Sequence, residues 1–237
     1  MDSQLKESNV ETVIKNARLE DRKFLMEHEA KEVLKAYNIP VTREKVAADI
    51  NDAVEAAEEI GFPVVLKVYS PDIIHKSDVG GVIVGLETPS EVIDAYRRII
   101  KNVKANMPEA RILGVLVQEM APRGYEVIVG AIRDVQFGPA VMFGLGGLFT
   151  EVFKDVSFRL APLNREEALE MMREVRSFKI LEGFRGQKPA NLDSIAEVII
   201  RVGEVIIDLS EVAEIDINPL VVNDRGSIAV DARIILT

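Results

Sequence analysis

PVVLKVYSPDIIHKSDVGGVIVGL, Pro63 to Leu86, is the stretch on which the reading of this chain turns. Its first apolar run reads as a strand that ends on Lys67. A polar loop follows and carries His75, one of the 2 histidines in the chain. The loop closes on Gly80-Gly81 and enters a second strand, Val82 to Leu86. A strand lysine, a loop imidazole and a glycine pair in this order point to phosphate chemistry. Glycines have no Cβ to keep backbone N–H groups from phosphate oxygens. Lysine adds a point charge, and histidine serves as nucleophile, acid or base. Each group also has a plainer reading. Lys67 alone is a snorkelling strand-end lysine, and His75 alone is a structural or solvated loop histidine.

The whole chain is consistent with such a site. Its 237 residues suffice for one large domain, or for two subdomains of roughly 100 residues each. Hydrophobic residues make up 48% and charged residues 29%, which provides a sizeable core. No apolar run reaches the ~18 residues of a membrane span. The amino terminus, MDSQLKESNVETVIKNARLEDRK, is charged and lacks the apolar stretch of a secretory signal. With 0 cysteines there is no disulfide framework and no thiolate metal site, which fits a cytoplasmic protein. The net charge of −10 argues against a nucleic-acid surface. An acidic protein still binds nucleotides where basic groups and a divalent cation gather locally.

Outward from the opening stretch, periodicity sets the elements. Met26, Ala30, Val33, Leu34 and Tyr37 predict a helix over about 20–37, with His28 on its solvent side between Glu27 and Glu29. A second helix runs from near Asn51 to a C′ glycine at Gly61. Thr88 and Glu91 form a capping box with Pro89 at the first helical position. Val92, Ala95, Tyr96, Ile99 and Val103 make the stripe of that third helix. Ile112 to Met120 is an apolar strand. Glu126–Ile132 and Phe137–Phe143 read as a strand pair, followed by the glycine-rich loop Gly144 to Gly147. Asn164 to Glu167 starts a helix, and a last long helix covers about 193–209. The expected class is α+β, built from α/β subdomains. Residues 1–19 are expected as an extension, 20–117 as an N-terminal subdomain and 118–237 as a C-terminal one. Met120 to Tyr125 is the expected hinge.

The carboxy-terminal hairpin gives a geometric expectation. EIDINPLVV, a turn at Asn223 to Gly226 and SIAVDARIIL pair residues whose numbers sum to 449 if the turn centres between Asp224 and Arg225. Asn218 then faces Asp231. Directly opposed side chains have Cβ atoms about 4.5–5.5 Å apart, close enough to share one hard cation such as Mg²⁺. Asp216 points to the same face. A solvated Asn/Asp pair on an exposed strand face fits as well, and a bulge at Pro219 would shift the register.

These pieces, in this order, resemble an ATP-grasp domain. The match is closer still to the small, β subunit of ADP-forming acetate–CoA ligase, an ADP-forming acyl-CoA synthetase. It covers about Leu19 to Leu236 and is carried by LEDRKFLMEHEAKEVLKAYNIPV, by the opening stretch, and by VQEMAPRGYEVIVG, FGLGGLFTEVFKDVSFRLAPL and EIDINPLVVNDRGSIAVDARI. The succinyl-CoA synthetase β subunit is a more distant relative, and this chain departs from it at the loop that carries His75. The resemblance implies two subdomains gripping ADP or ATP between two sheets. It implies that Lys67 contacts phosphates, with Gly80 and Gly81 in the phosphate loop. Gln118, Glu119 and Met120 would form the hinge that reads adenine, and Glu126 would bind ribose. Asn218 and Asp231 would hold Mg²⁺. The segment 144–159 resembles the stretch near the transferred phosphoryl group, with Arg159 as the candidate for charge stabilisation. His75 matches a histidine that relays the phosphoryl group from a CoA-binding α subunit to ADP. That subunit carries another phosphohistidine, and the implied assembly is α₂β₂.

Two other functions remain open at this level. One is a stand-alone ATP-grasp carboxylate–amine ligase working through an acyl phosphate. The other is a nucleotide-sensing module without chemistry.

Overall fold

The computed structural model describes residues 3–147, 154–183, 186 and 188–237. The chain divides into two compact units. One comprises Met1–Val41 with Pro122–Thr237, the other Thr42–Ala121. The second crossing, at Ala121/Pro122, falls inside the expected hinge. The first does not follow the expected division. Residues 20–41, assigned from sequence to the N-terminal subdomain, belong with the carboxy-terminal part.

The cause is a long-range pairing that local periodicity does not reveal. A helix α1 (Ser3–Leu19) is followed by a two-residue strand β1 (Phe24–Leu25) and a helix α2 (Glu27–Ala36). Strand β1 pairs antiparallel with the last strand of the chain, β11 (Ala232–Leu236), Phe24 facing Ile235. The single helix expected over 20–37 is therefore a turn, a strand and a shorter helix. Glu27, the neighbour of His28, is buried and forms an ion pair of 3.0 Å with the buried Lys31 one turn along. His28 is half-buried rather than fully exposed.

The smaller unit is a four-stranded sheet in the order β2-β5-β3-β4, covered on one face by two helices. Its strands are β2 (Glu44–Ala47), β3 (Val64–Tyr69), β4 (Val82–Leu86) and β5 (Gly114–Glu119). The helices are α3 (Ile50–Ile60) and α4 (Pro89–Asn106). Both begin at a side-chain cap, of which the sequence reading names the one at Thr88. Asp49 accepts from the N–H groups of Asn51 and Asp52, and the Thr88–Glu91 capping box is present. Val64, Leu66 and Val68 on β3, with Val115 and Val117 on β5, join Ala53, Ala57, Val92, Ile99 and Val103 of the helices in one core.

The larger unit holds a seven-stranded sheet, β1-β11-β9-β6-β7-β8, with β10 also on β9. Its further strands are β6 (Tyr125–Asp134), β7 (Gly138–Leu145), β8 (Val156–Leu160), β9 (Val212–Val222) and β10 (Ser227–Ala229). Helices α1 and α2, with α5 (Arg165–Glu174) and α6 (Leu192–Asp208), bury one set of alternating side chains. These include Val127, Val129, Val141, Phe143, Ile215, Ile217 and Ile234. Alternation along each strand then fixes which residues occupy the other face. All strand pairings between named strands are antiparallel. This is the α+β class that the sequence indicates.

Candidate active site

In the smaller unit, Val64, Leu66 and Val68 take the core face of β3, so Val65 and Lys67 take the other. Lys67 lies between Val82 on β4 and Leu116 on β5, and is 5% exposed. Gln118 pairs with Val65 and is fully buried on that same face. Lys67 and Gln118 are thus diagonal neighbours, with Cα atoms about 7–8 Å apart. Glu44 of β2 lies opposite Gln118, so this face gathers an ammonium, an amide and a carboxylate in one polar patch. It is suited to an anionic ligand, because an ammonium loses its hydration on burial and gains from a counter-charge.

The loop after Lys67 places His75 at an exposed tip. Gly80-Gly81 closes the loop, although not in the way the sequence implies. The Gly80 N–H donates to the Ser77 carbonyl (3.0 Å) and the Gly81 N–H to the Lys76 carbonyl (2.8 Å). Neither N–H is available to a phosphate in this conformation. The glycines are needed for close approach instead. Gly80 has φ +65°, and a Cβ there would lie 2.7 Å from Asn102 Nδ2. A Cβ on Gly81 would lie 2.6 Å from Val68 Cγ1 and 2.8 Å from the Lys76 carbonyl oxygen.

Gln118, Glu119 and Met120 close the β5 strand. The Glu119 N–H donates to the Arg43 carbonyl (3.0 Å) and the Met120 N–H to the Pro63 carbonyl (3.3 Å). Both N–H groups expected to read a base edge therefore have partners within the unit. The Glu119 carboxylate accepts from the Arg43 N–H and Nε, each at 2.7 Å, which fixes the strand end. That clamp joins residues 76 apart in sequence and was not anticipated, because no motif marks β2 as the neighbour of β5.

In the larger unit, the hairpin register holds. Val222 pairs with Ser227, Leu220 with Ala229, Ile217 with Ala232 and Asp216 with Arg233, each pair summing to 449. The Asn218 N–H donates to the Asp231 carbonyl at 3.2 Å and the Val230 N–H to the Pro219 carbonyl at 3.0 Å. The irregularity foreseen at Pro219 falls on the other side of β9, where the pairing with β6 shifts between Val127 and Val129. Asn218 and Asp231 thus oppose each other on the face away from the helices, with Asn218 exposed and Asp231 half-buried. The Ala232 N–H donates to Asp231 Oδ1 (2.8 Å) and orients the carboxylate.

Among the described residues no three His, Cys, Asp or Glu side chains gather as a metal cage. A two-donor pair of this kind suits Mg²⁺, which is held by one or two carboxylates and completed by substrate phosphates and water. Asp216, on the same face, is held above the usual carboxylate range by burial; Arg233 opposes the rise and Glu214 adds to it. Glu126 is exposed opposite Val221, also on this face.

Arg159 is not on this face. Its partner across the ladder is Val141, a core residue. Ser157, two residues earlier, donates through Oγ to the Met171 carbonyl of α5. Arg159 follows the same alternation toward α5, where Glu174 takes its guanidinium in two hydrogen bonds. Phe158 and Leu160 occupy the opposite, exposed side. The assignment of Arg159 to charge stabilisation is therefore corrected: it is a sheet-to-helix tie. Of the segment 144–159 that carried the assignment, residues 148–153 lie outside the described residues. Arg233, unlike Arg159, lies on the Asn218–Asp231 face. It is paired with Glu214 at 3.2 Å and could have been found by extending the 449 register to Asp216. Replacing Arg159 with Ala should lower the melting temperature and leave turnover within about threefold of the parent, as for other half-exposed ion pairs. A steady-state assay beside a thermal melt checks this.

The order of these groups along the two sheets can be set against known proteins. Residues 16–236 match the model of the ATP-grasp domain family. The chain belongs to the ATP-grasp family. Among its relatives is the acetate–CoA ligase [ADP-forming] I subunit beta of Pyrococcus furiosus, 52% identical over 94% of this chain and 96% of that one. The acetate–CoA ligase [ADP-forming] I of Archaeoglobus fulgidus is 51% identical over 86% of this ATP-grasp chain, which spans 30% of that longer protein. A solved structure of the acetyl-coenzyme A synthetase 1 of Ca. Korarchaeum cryptofilum superposes with a TM-score of 0.94 at 51% identity. It covers 95% of this chain and 99% of that one, and holds coenzyme A and Ca-AMPCP. These similarities place the chain among the β subunits of ADP-forming acetate–CoA ligases. No helix among the described residues is long and apolar enough to cross a membrane.

Proposed function

We propose that this chain is the nucleotide-binding subunit of an ADP-forming acyl-CoA synthetase, and that it passes a phosphoryl group to ADP through His75. The observation that carries the reading is the β3–loop–β4 unit. It joins a buried strand lysine to an exposed histidine on a loop tied down at both ends. A carboxylate–amine ligase acting through an acyl phosphate has no use for such a histidine.

In this reading, a ring nitrogen of His75 attacks phosphorus on the partner's phosphohistidine, and the partner's N–P bond breaks. A β-phosphate oxygen of ADP then attacks the phosphorus on His75, and that N–P bond breaks to give ATP. A neutral imidazole has the lone pair the first step needs. Lys67 holds ADP phosphates and offsets their charge, the main task in phosphoryl transfer. Gln118, Glu119 and Met120 flank the base by groups other than the Glu119 and Met120 N–H, which are bonded within the smaller unit, and Glu126 positions the ribose. Asn218 and Asp231 are the residues that would hold Mg²⁺, which supplies positive charge to the phosphates when bound. Gly80 and Gly81 shape the loop rather than donate to phosphate.

The β-subunit relatives and the longer A. fulgidus chain support a CoA-binding companion, which would convert acyl-CoA and phosphate to acyl phosphate and CoA. We read the assembly as α₂β₂ and its location as the cytoplasm, in keeping with a cysteine-free chain. Co-expression with the companion and an assay for ATP from acetyl-CoA, phosphate and ADP tests the function. Turnover should require both chains. ATP-dependent joining of an amine to a carboxylate by this chain alone would overturn the reading.

A further inference from the structure

The loop that carries His75 is pinned on both shoulders by side-chain hydrogen bonds and by buried apolar residues. On the first shoulder, Asp72 accepts three hydrogen bonds from Arg111. They come from the backbone N–H (2.8 Å), Nε (3.1 Å) and Nη2 (3.0 Å). The Asp72 N–H donates to Ser70 Oγ (3.1 Å), and Ile73 is buried in the core of the smaller unit. Arg111 is itself fixed near β3, because the Leu113 N–H donates to the Tyr69 carbonyl (2.9 Å). On the second shoulder, Asn102 of α4 donates through Nδ2 to the Gly80 carbonyl (3.1 Å). Asn106 donates to the Val79 carbonyl (3.4 Å), and Val79 is buried in that same core. Between the buried Ile73 and Val79, the side chains of Ile74, His75, Ser77 and Asp78 are exposed.

The chain length between pins limits where His75 can go. His75 is two residues from Ile73, so its Cα stays within about 7 Å of the Ile73 Cα even when fully extended. With the Asp72 clamp open and Ile73 released, the last fixed residue is Tyr69, and the reach grows to about 20 Å.

We infer that Asp72, Arg111 and Asn102 are positioning residues for phosphoryl transfer, holding His75 at a fixed station rather than on a free arm. The inference rests on the reading of His75 as the phosphoryl carrier. A carrier confined to a short radius meets donor and acceptor in few orientations. A misplacement of about 1 Å is enough to cost roughly 100-fold in rate. Arg111 satisfies the geometric demand: its guanidinium grips both oxygens of one carboxylate while its own backbone N–H binds the same group, which a lysine cannot reproduce.

The test uses the complex of this chain with its companion. Label from ³²P-phosphate and acyl-CoA is followed onto His75 in single turnover, in the parent chain and in Asp72→Asn, Asp72→Glu and Asn102→Ala. Hydrogen exchange of residues 73–79 and ADP affinity are measured on the same proteins. Asp72→Asn should slow labelling by roughly 30- to 100-fold, speed exchange across 73–79, and leave ADP affinity within about twofold. Asp72→Glu should recover most of the rate, because it keeps the charge. A clamp that serves only stability would lower the melting temperature with labelling unchanged, and that result overturns the inference. Unchanged exchange in Asp72→Asn overturns it as well. Absence of label on His75 in the parent chain would instead sink the carrier reading, and the inference with it.

Discussion

Replacing His75 with Ala should abolish ATP formation from acyl-CoA while ADP still binds. The expected loss is about 10³-fold or more in turnover, since the change removes the atom that carries the phosphoryl group. The fold should not register the change. His75 is exposed at the tip of its loop, between anchors that do not involve its ring. Surface substitutions of that kind alter stability by about 0.5 kcal/mol or less. A turnover assay, ADP titration and thermal melt on one preparation separate the outcomes. Turnover near the parent level would mean that the partner's phosphohistidine reaches ADP without His75.

The second large effect is expected at Asp231. Asp231→Asn keeps the shape and removes the charge that faces Asn218. Turnover should fall by roughly 100-fold or more, as expected when a cation loses a carboxylate ligand. The binding measurement is more diagnostic. ADP affinity should weaken in Mg²⁺ and equal that of the parent protein in EDTA, because the lost interaction runs through the cation. Equal weakening in both media would instead mean that Asp231 contacts the nucleotide directly or that the hairpin has shifted. The Ala232 N–H, which donates to Asp231 Oδ1, retains an acceptor in the Asn variant, so the local backbone has a reason to stay.

Much of this is legible in the sequence where local rules govern. The 449 register across β9, β10 and β11 follows from a turn of known length, and it survives Pro219 because the irregularity is taken up against β6. Helices α3, α4 and α5 start at Asp49, Thr88 and Asn164, where short polar side chains can accept from the first turn. The rest is decided by a distant segment or by a compensating partner that periodicity does not display. Residues 20–41 join the larger unit through the pairing of β1 with β11, some 200 residues away in the chain. Glu27 sits inside because Lys31 is there to pair with it, a compensation that a hydrophobic period cannot display. Arg159 was placed by neighbourhood in a motif. Its face is set by the parity of β8 against β7, which no local pattern specifies. The glycine pair suggests phosphate binding by its composition, whereas in the fold a Cβ on either glycine would meet Asn102, Val68 or the Lys76 carbonyl.

The central claim is that the phosphoryl group rests covalently on His75 on its way to ADP. It is tested most directly by mapping phosphate in the assembled enzyme after acyl-CoA and phosphate are added without ADP. The account predicts an acid-labile, base-stable phosphate on the peptide that contains His75, discharged to ATP when Mg²⁺ and ADP are supplied. Phosphate found only on the companion chain, and discharged to ADP at the full rate, would contradict it.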